Sequence, residues 1–171
     1  YNVPFTTGLL IGIGETWEER LEALYLIDEI HQKYGNIQEV IIQNFQPKPD
    51  IKMSNHKTLN IEEILRTMSV ARISLSPEIS LQAPPNLHSE HLSYLDAGIN
   101  DWGGISPLTI DFINPEMEWP EINFLSKRMS IKGYILKERL TVYPKYVDEK
   151  KNFLSSEIRT QISKMETRIA C

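Results

Sequence analysis

The sequence has almost no cysteine, no long apolar run and no excess of basic charge. Its 171 residues contain one cysteine, Cys171. A single thiol excludes an internal disulfide framework and any metal centre built from several cysteines of this chain alone. No apolar run approaches the ~18 residues of a membrane span. With 18 Lys and Arg against 23 Asp and Glu the net charge is −5, so we expect no nucleic-acid partner. Because no apolar run is long enough for a span, we also expect no membrane partner.

The first residues also lack the basic and apolar regions of a secretory signal peptide. We therefore expect a protein that is not secreted and lies in the cytoplasm, or in an organelle stroma such as that of a plastid if the source is eukaryotic. There is no initiator methionine, and Tyr1 opens directly onto a strand-like apolar run. We expect this start to lie within a longer protein. A hydrophobic fraction of 41% and a charged fraction of 24% are typical of a globular chain.

Four segments repeat one pattern, in which a short apolar strand is followed by an amphipathic helix. Thr16 and Glu19 form a capping-box pattern, and apolar residues then recur every three or four positions as far as Gly35. Asn60 and Glu63 mark the start of the second helix in the same way. The predicted strands are 5–13, 39–45, 79–83 and one that begins at residue 99, and the predicted helices are 16–34, 60–75, a short one before Gly98, 120–132 and one near 158–169.

Alternating strands and helices predict an α/β fold with a parallel sheet. Four such units are half of an eight-unit barrel, and half a barrel alone would leave two open sheet edges. The chain is therefore either a small open α/β domain or the C-terminal half of a (β/α)₈ barrel, and its abrupt start favours the barrel. We expect residues 1–147 to form this part, with an added strand at 134–143, and residues 148–171 to form a polar helical tail.

Functional groups in parallel α/β folds cluster where the strands end, and four sets of residues lie there. The first is Gly12-Ile13-Gly14-Glu15, whose glycines allow close backbone approach beside helix N-terminal amides. The structural alternative is a tight turn in which Glu15 favours the helix dipole. The second set, Gln43 and Asn44, places two amides at the end of an apolar strand, where they either line a pocket or are satisfied structurally.

The third set is Gln82 and Asn86, which flank the rigid turn at 84–85. A structural stop with solvated amides explains it equally well. In the fourth set, Asp101 and Trp102 precede two glycines. A loop that needs positive φ explains the glycines, but it does not explain an acid beside an aromatic side chain, which favours a functional role.

Several strings resemble known enzymes. Residues 8–15 (GLLIGIGE) resemble the GxIxGxxE signature of radical S-adenosylmethionine (SAM) enzymes. Three longer strings are similar to subunit 1 of the 7,8-didemethyl-8-hydroxy-5-deazariboflavin (FO) synthases, and this resemblance runs from residue 1 to about 147. The strings are 39–49 (EVIIQNFQPKP), 82–87 (QAPPNL) and 98–109 (GINDWGGISPLT), the last followed by 114–116 (NPE). The subunit 2 family has a leucine in place of Trp102, which favours subunit 1.

The resemblance implies a radical SAM carbon–nitrogen lyase with a TIM-type barrel. In this family a 4Fe-4S cluster reduces SAM to methionine and a 5′-deoxyadenosyl radical. The radical takes hydrogen from an adduct of tyrosine with 5-amino-6-ribitylaminouracil, and ring closure with loss of ammonia gives the deazaflavin FO. Subunit 2 supplies the adduct and is the implied pathway partner.

The resemblance also implies roles for single residues. Gly12, Ile13, Gly14 and Glu15 would bind SAM, and Asp101 would transfer a proton. The side chains implied to contact the substrate are Gln43, Asn44, Gln82, Asn86 and Trp102.

The family's cluster-binding CxxxCxxC loop is absent, so we expect no metal ligand in this chain, cluster ligands upstream of Tyr1, and no activity of this chain alone. Two alternatives stay open. One is another radical SAM enzyme, of the futalosine pathway or like biotin synthase, and the other is a non-catalytic open α/β binding module.

Overall fold

The structure is a computed structural model that describes residues 2–106, 108–147 and 152–169, with side chains described as far as residue 165. A parallel three-stranded sheet in the order β1-β2-β3 organises it. The α/β class and the parallel sheet are therefore confirmed. The strands are β1 Phe5–Ile11, β2 Ile37–Asn44 and β3 Ser80–Gln82, and the helices are α1 Trp17–Tyr34, α2 Ile61–Ser74, a 3₁₀ helix His91–Leu95, α3 Ile122–Ile131, α4 Pro144–Val147 and α5 Ser156–Ile169.

The strand register assigns the side chains to two faces of the sheet. Residues paired across parallel strands point to the same face, and successive residues point to opposite faces. The helix face packs on buried side chains of α1, α2 and α3 and carries most of the core. It consists of Thr7, Leu9, Ile11, Val40, Ile42, Asn44 and Leu81. The other face, called the open face below, consists of Thr6, Gly8, Leu10, Glu39, Ile41, Gln43, Ser80, Gln82 and Asp101.

The two long helices begin and end within one residue of the predicted positions. Thr16 Oγ1 accepts a hydrogen bond from the Glu19 amide at 3.2 Å, and Glu19 Oε2 accepts one from the Thr16 amide at 2.7 Å. Asn60 Oδ1 caps α2 by accepting from the Glu63 amide at 2.8 Å. The chain leaves α1 through Gly35, whose φ of 65° suits glycine. Local capping chemistry thus sets these boundaries.

Thr16→Ala should lower the free energy of unfolding by about 1 kcal/mol, because it leaves the Glu19 amide without its acceptor. Urea unfolding followed by circular dichroism measures this change. Thr58→Ala is the matched control, since Thr58 is exposed and lies outside every helix and strand. It should change stability by less than about 0.5 kcal/mol. Equal effects of the two variants would contradict the capping role.

The fourth predicted strand is reduced to a single bridge between Gln82 and Asp101. The Asn100 side chain replaces a backbone partner, because its Oδ1 accepts the Leu81 amide at 2.8 Å. Gly98 and Gly103, with φ of 97° and 69°, turn the chain on either side. Three strands are therefore present among the described residues, and the predicted four-unit half-barrel is not confirmed.

Residues 134–143 do not form the added strand that their apolar composition predicts, so that prediction is wrong. The Gln38 side chain takes the place of a neighbouring strand. Its Nε2 donates to the Thr141 carbonyl at 3.1 Å, and its Oε1 accepts the Tyr143 amide at 3.3 Å. Residues 139–143, called the strap below, lie against the open face through Arg139 and Tyr143.

The C-terminal part contains the predicted last helix as α5, in which Ile162 is buried. Tyr146 of α4 meets Phe153 edge to face, with ring centroids 5.0 Å apart. Cys171 lies outside the described residues, as does the side chain of Ile169. Among the helices described, none combines the length and apolarity needed to cross a membrane.

Candidate functional site

The turn after β1 is closed by Glu15. Its two carboxylate oxygens accept the amides of Gly12 and Ile13, each at 2.8 Å, and Arg20 Nε donates to it at 2.7 Å. Gly12 and Gly14 have φ of 90° and 105°, a region that favours glycine. The Gly12 and Ile13 amides are therefore used within the turn. Ile13, 41% exposed, presents an apolar side chain at its surface.

An ionised Glu15 maintains this turn. Partial burial acts to raise the pKa of Glu15, but hydrogen bonds from Gly12, Ile13 and Arg20 outweigh it and hold that pKa below its ordinary value. Arg20 is itself buried and also donates to Glu63 and Thr67 of α2. The turn is thus tied to both long helices.

The two amides that end β2 lie on opposite faces of the sheet. Gln43 pairs with Leu10 on the open face, where Leu10 is 44% exposed. Asn44 pairs with Ile11 on the helix face and is buried, and its Nδ2 has no partner among the described residues. Of this predicted pair, Gln43 is therefore the one beside the open surface.

The predicted pair around the double proline is also separated. Gln82 lies on the open face, and with its amide nitrogen toward Glu39 it donates to both carboxylate oxygens, at 2.9 and 3.0 Å. Asn86 Nδ2 instead donates to Asp111 Oδ2 at 2.9 Å and to the Met117 carbonyl at 3.2 Å. Asn86 therefore stabilises the loop that contains Asp111 and Met117.

Asp101 and Trp102 diverge in the same way. Asp101 is on the open face beside Gln82. Trp102 is 5% exposed, its Nε1 donates to Met129 Sδ at 3.2 Å, and its ring meets His91 edge to face. Its contacts place Trp102 in the hydrophobic core between the sheet and α3.

The open face holds a cluster of charged and polar side chains, of which the sequence predicts only Gln82 and Asp101 as site residues. This carboxyl cluster consists of Glu39, Gln82, Asp101, Arg139 and Tyr143. Arg139 Nε donates to Asp101 Oδ2 at 2.5 Å, and a terminal nitrogen of Arg139 donates to Glu39 Oε1 at 2.8 Å. The Tyr143 hydroxyl is 2.7 Å from Asp101 Oδ2 and 3.0 Å from Glu39 Oε1. One guanidinium therefore joins two carboxyl groups.

Burial and charge shift the protonation of this cluster. Burial, followed by the nearby charge of Asp101, raises the pKa of Glu39 above its ordinary value. Burial and the two neighbouring carboxylates likewise raise the pKa of Tyr143. Burial acts to lower the pKa of Arg139, but the hydrogen bond to Asp101 and the charge of that carboxylate outweigh burial and raise this pKa above its ordinary value. The guanidinium therefore stays charged. The cluster thus combines a fixed cation, Arg139, with a carboxyl group, Glu39, whose pKa is raised.

The residues of the turn fit one of the two implied cofactors, and the chain lacks the ligands for the other. Exposed Ile13 and the glycine turn fit the apolar face of an adenine, which supports SAM as a ligand there. An iron–sulfur cluster does not fit this chain, because several cysteines are required and the sequence has one. The described residues also contain no group of three or more His, Cys, Asp and Glu that could hold a metal ion.

Comparison with known proteins confirms the resemblance that the sequence motifs carry. No protein-family model matches the chain. It is 52% identical over 147 residues to the 7,8-didemethyl-8-hydroxy-5-deazariboflavin synthase of Methanopyrus kandleri, covering 85% of this chain and 43% of that protein. The same synthase of Methanocaldococcus jannaschii is 51% identical over 164 residues, with 95% and 45% covered. FO synthase of Streptomyces avermitilis is 48% identical over 158 residues, with 92% and 18% covered. The chain thus spans less than half the length of each of these relatives.

Proposed function

We propose that this chain forms the SAM-facing and substrate-facing walls of an FO synthase, a radical SAM lyase of deazaflavin biosynthesis. The observation that carries this proposal is an identity of 48–52% over 85–95% of the chain to proteins named FO synthase or 7,8-didemethyl-8-hydroxy-5-deazariboflavin synthase. The proposed reaction converts the tyrosine–ribitylaminouracil adduct into FO with release of ammonia. FO synthase subunit 2 would supply the adduct.

The turn Gly12-Ile13-Gly14-Glu15 is the proposed SAM contact. Ile13 gives an exposed apolar side chain for the adenine, and Glu15 with Arg20 holds the backbone in place. SAM bound here would supply the radical that removes a hydrogen atom from the substrate. The described residues offer no ligand set for the 4Fe-4S cluster that this chemistry needs, so no step is assigned to the cluster.

The open face is the proposed substrate wall, with Gln43, Gln82 and Asp101 as its polar groups. Amides and a carboxylate suit the donors and acceptors of a uracil edge and a ribityl chain. Asp101 is held by Arg139 and Tyr143, which fixes its position for proton transfer. Asn44 is instead buried on the helix face, Asn86 contacts a loop and Trp102 packs in the core, so these three residues are not part of the proposed substrate wall.

Asp101→Asn should lower FO formation about 100-fold, the usual contribution of a positioned proton-transfer group. The test uses the protein expressed from its complete coding sequence under anaerobic conditions, with SAM, tyrosine, 5-amino-6-ribitylaminouracil and subunit 2. Mass spectrometry quantifies FO and 5′-deoxyadenosine. Asp96→Asn is the control, because Asp96 is an exposed carboxylate paired with Lys132 at the surface.

Three results would contradict the proposal in different ways. FO formation at the wild-type rate by Asp101→Asn would remove Asp101 from the chemistry. Cleavage of SAM with a product other than FO would indicate another radical SAM enzyme. Absence of both SAM binding in calorimetry and product would favour a non-catalytic binding module.

A further inference from the structure

The Tyr143 hydroxyl lies between two carboxyl groups and has one proton to donate. Its oxygen is 3.0 Å from Glu39 Oε1 and 2.7 Å from Asp101 Oδ2, both within hydrogen-bond distance. If both carboxyl groups were ionised, they would only accept hydrogen bonds. One of the two contacts would then bring two acceptors together without a proton between them. The distances are therefore best satisfied when one carboxyl group is protonated.

The net charge of the carboxyl cluster also indicates that one of its two carboxyl groups is protonated. Two ionised carboxylates would carry two negative charges, against the single positive charge of Arg139. The other side chains that hydrogen-bond Glu39 or Tyr143 are neutral. Thr6 of β1 and Gln82 of β3 bond to Glu39, and Ser80 of β3 bonds to Tyr143. The side chains of Glu39 and Asp101 are 6% and 12% exposed. A buried excess charge is unfavourable, and one bound proton removes it.

Burial and the distance to the Arg139 guanidinium indicate which carboxyl group holds that proton. Asp101 receives the shorter Arg139 bond, at 2.5 Å, and its Oδ1 also accepts the Gly103 amide at 2.7 Å. Glu39 is the more buried of the two and receives Arg139 at 2.8 Å. Burial and the charge of Asp101 also raise the pKa of Glu39. Glu39 is therefore the more buried carboxyl group, lies farther from the cation and has the raised pKa, which makes it the better site for the proton.

We propose that Glu39 holds a proton at neutral pH and that Tyr143 connects it to Asp101 as a one-proton relay on the open face. In the resting arrangement Glu39 donates to the Tyr143 oxygen, and Tyr143 donates to Asp101 Oδ2. When a proton is needed, the Glu39 proton moves to Tyr143 while the Tyr143 proton moves to Asp101. Tyr143 ends neutral, Glu39 ends as the carboxylate and Asp101 ends protonated, so charge and atoms balance.

The relay rests on the proposed function in one respect, that Asp101 faces the substrate. Loss of ammonia requires a proton on the departing amine, and Asp101 could deliver one that Glu39 has stored. Glu39 and Tyr143 act through Asp101, and they are therefore positioning residues.

Infrared spectroscopy of the whole protein, with its glutamate carboxyl groups labelled with ¹³C, tests the relay without substrate. We expect a protonated-carboxyl band at pH 7 that is lost in Glu39→Gln and kept in Glu138→Gln, because Glu138 is exposed. Tyr143→Phe should keep the band but shift its frequency, since the carboxyl proton loses its acceptor. Circular dichroism shows that each variant is folded, and the amide of Glu39→Gln can keep the hydrogen bonds of a neutral carboxyl group.

Absence of the band in folded wild-type protein at pH 7 would overturn the relay. A band at its wild-type frequency in Tyr143→Phe would overturn it as well. Failure of the proposed function gives a different result, because it abolishes FO formation while the band remains. In the active protein, Tyr143→Phe should also shift the pH profile of FO formation, and an unchanged profile would contradict proton delivery through Tyr143.

Discussion

Gly8→Ala should disrupt the sheet and lower the free energy of unfolding by about 3 kcal/mol, the upper end of the usual range for overpacking. A Cβ at residue 8 would lie 2.3 Å from the Ile41 carbonyl oxygen and 3.0 Å from the Ile41 Cβ. Gly8 and Ile41 are paired in the register of β1 and β2. Because the closest atom belongs to the backbone of the paired strand, a side-chain rotation cannot relieve the clash. The two strands would have to separate.

Urea unfolding of Gly8→Ala and Gly104→Ala, followed by circular dichroism, separates this steric effect from a general effect of alanine. A Cβ at Gly104 meets nothing within 4 Å, and the φ of that residue is not positive. Gly104→Ala should therefore change the free energy of unfolding by less than about 0.5 kcal/mol. A Gly8→Ala variant as stable as Gly104→Ala would show that β1 and β2 tolerate a wider spacing.

Local chemistry made the two long helices predictable from sequence. Thr16 with Glu19, and Asn60 with Glu63, are capping patterns that act within one turn, so the starts of α1 and α2 follow from neighbouring residues. The segment 134–143 shows the limit of such reasoning. It is apolar enough for a strand, but Gln38, about a hundred residues earlier, satisfies its backbone.

The sequence predicted that the site residues lie at the ends of strands, but it did not predict which face of the sheet each residue occupies. Successive strand residues point in opposite directions, so Gln43 and Asn44 had to separate, and the same holds for Asp101 and Trp102. The sequence does not reveal which face stays open, because that depends on where the helices pack. Glu39 could have been noticed as a lone acid in an apolar strand. Arg139 and Tyr143 carry no local signal for a partner so distant along the chain.

Arg139→Met should strongly destabilise the folded protein. It takes the only cation from the carboxyl cluster and leaves Glu39 and Asp101 facing each other through Tyr143. It also removes a guanidinium that lies 4.2 Å from the centroid of the Tyr143 ring. Breaking a buried pair on one side costs about 3–5 kcal/mol. Arg139 is 28% exposed, so solvent screens part of this cost and we expect about 3 kcal/mol.

Lys132→Met is the matched control for loss of a cation. Lys132 pairs with Asp96 at 2.5 Å, but the two side chains are 35% and 64% exposed. A surface pair of this kind contributes about 0–1 kcal/mol. Urea unfolding of both variants at pH 7 should therefore rank Arg139→Met well below Lys132→Met in stability. Equal losses would mean that burial of the cluster has little effect on its energy.

The pH dependence of the Arg139→Met loss shows whether it arises from charge. Glu39 has a raised pKa in the folded protein, so its protonated form contributes stability that is present at low pH and lost as the pH rises through that pKa. Arg139 normally limits this loss by compensating the carboxylates. The difference in unfolding free energy between wild type and Arg139→Met should therefore widen as the pH rises through and above the pKa that Glu39 has in the folded wild-type protein. At a pH where Glu39 is ionised, Glu39→Gln in the Arg139→Met background should recover part of the stability, because it removes one uncompensated negative charge. A difference that is constant with pH and additive with Glu39→Gln would instead assign the loss to packing of Arg139 on Tyr143.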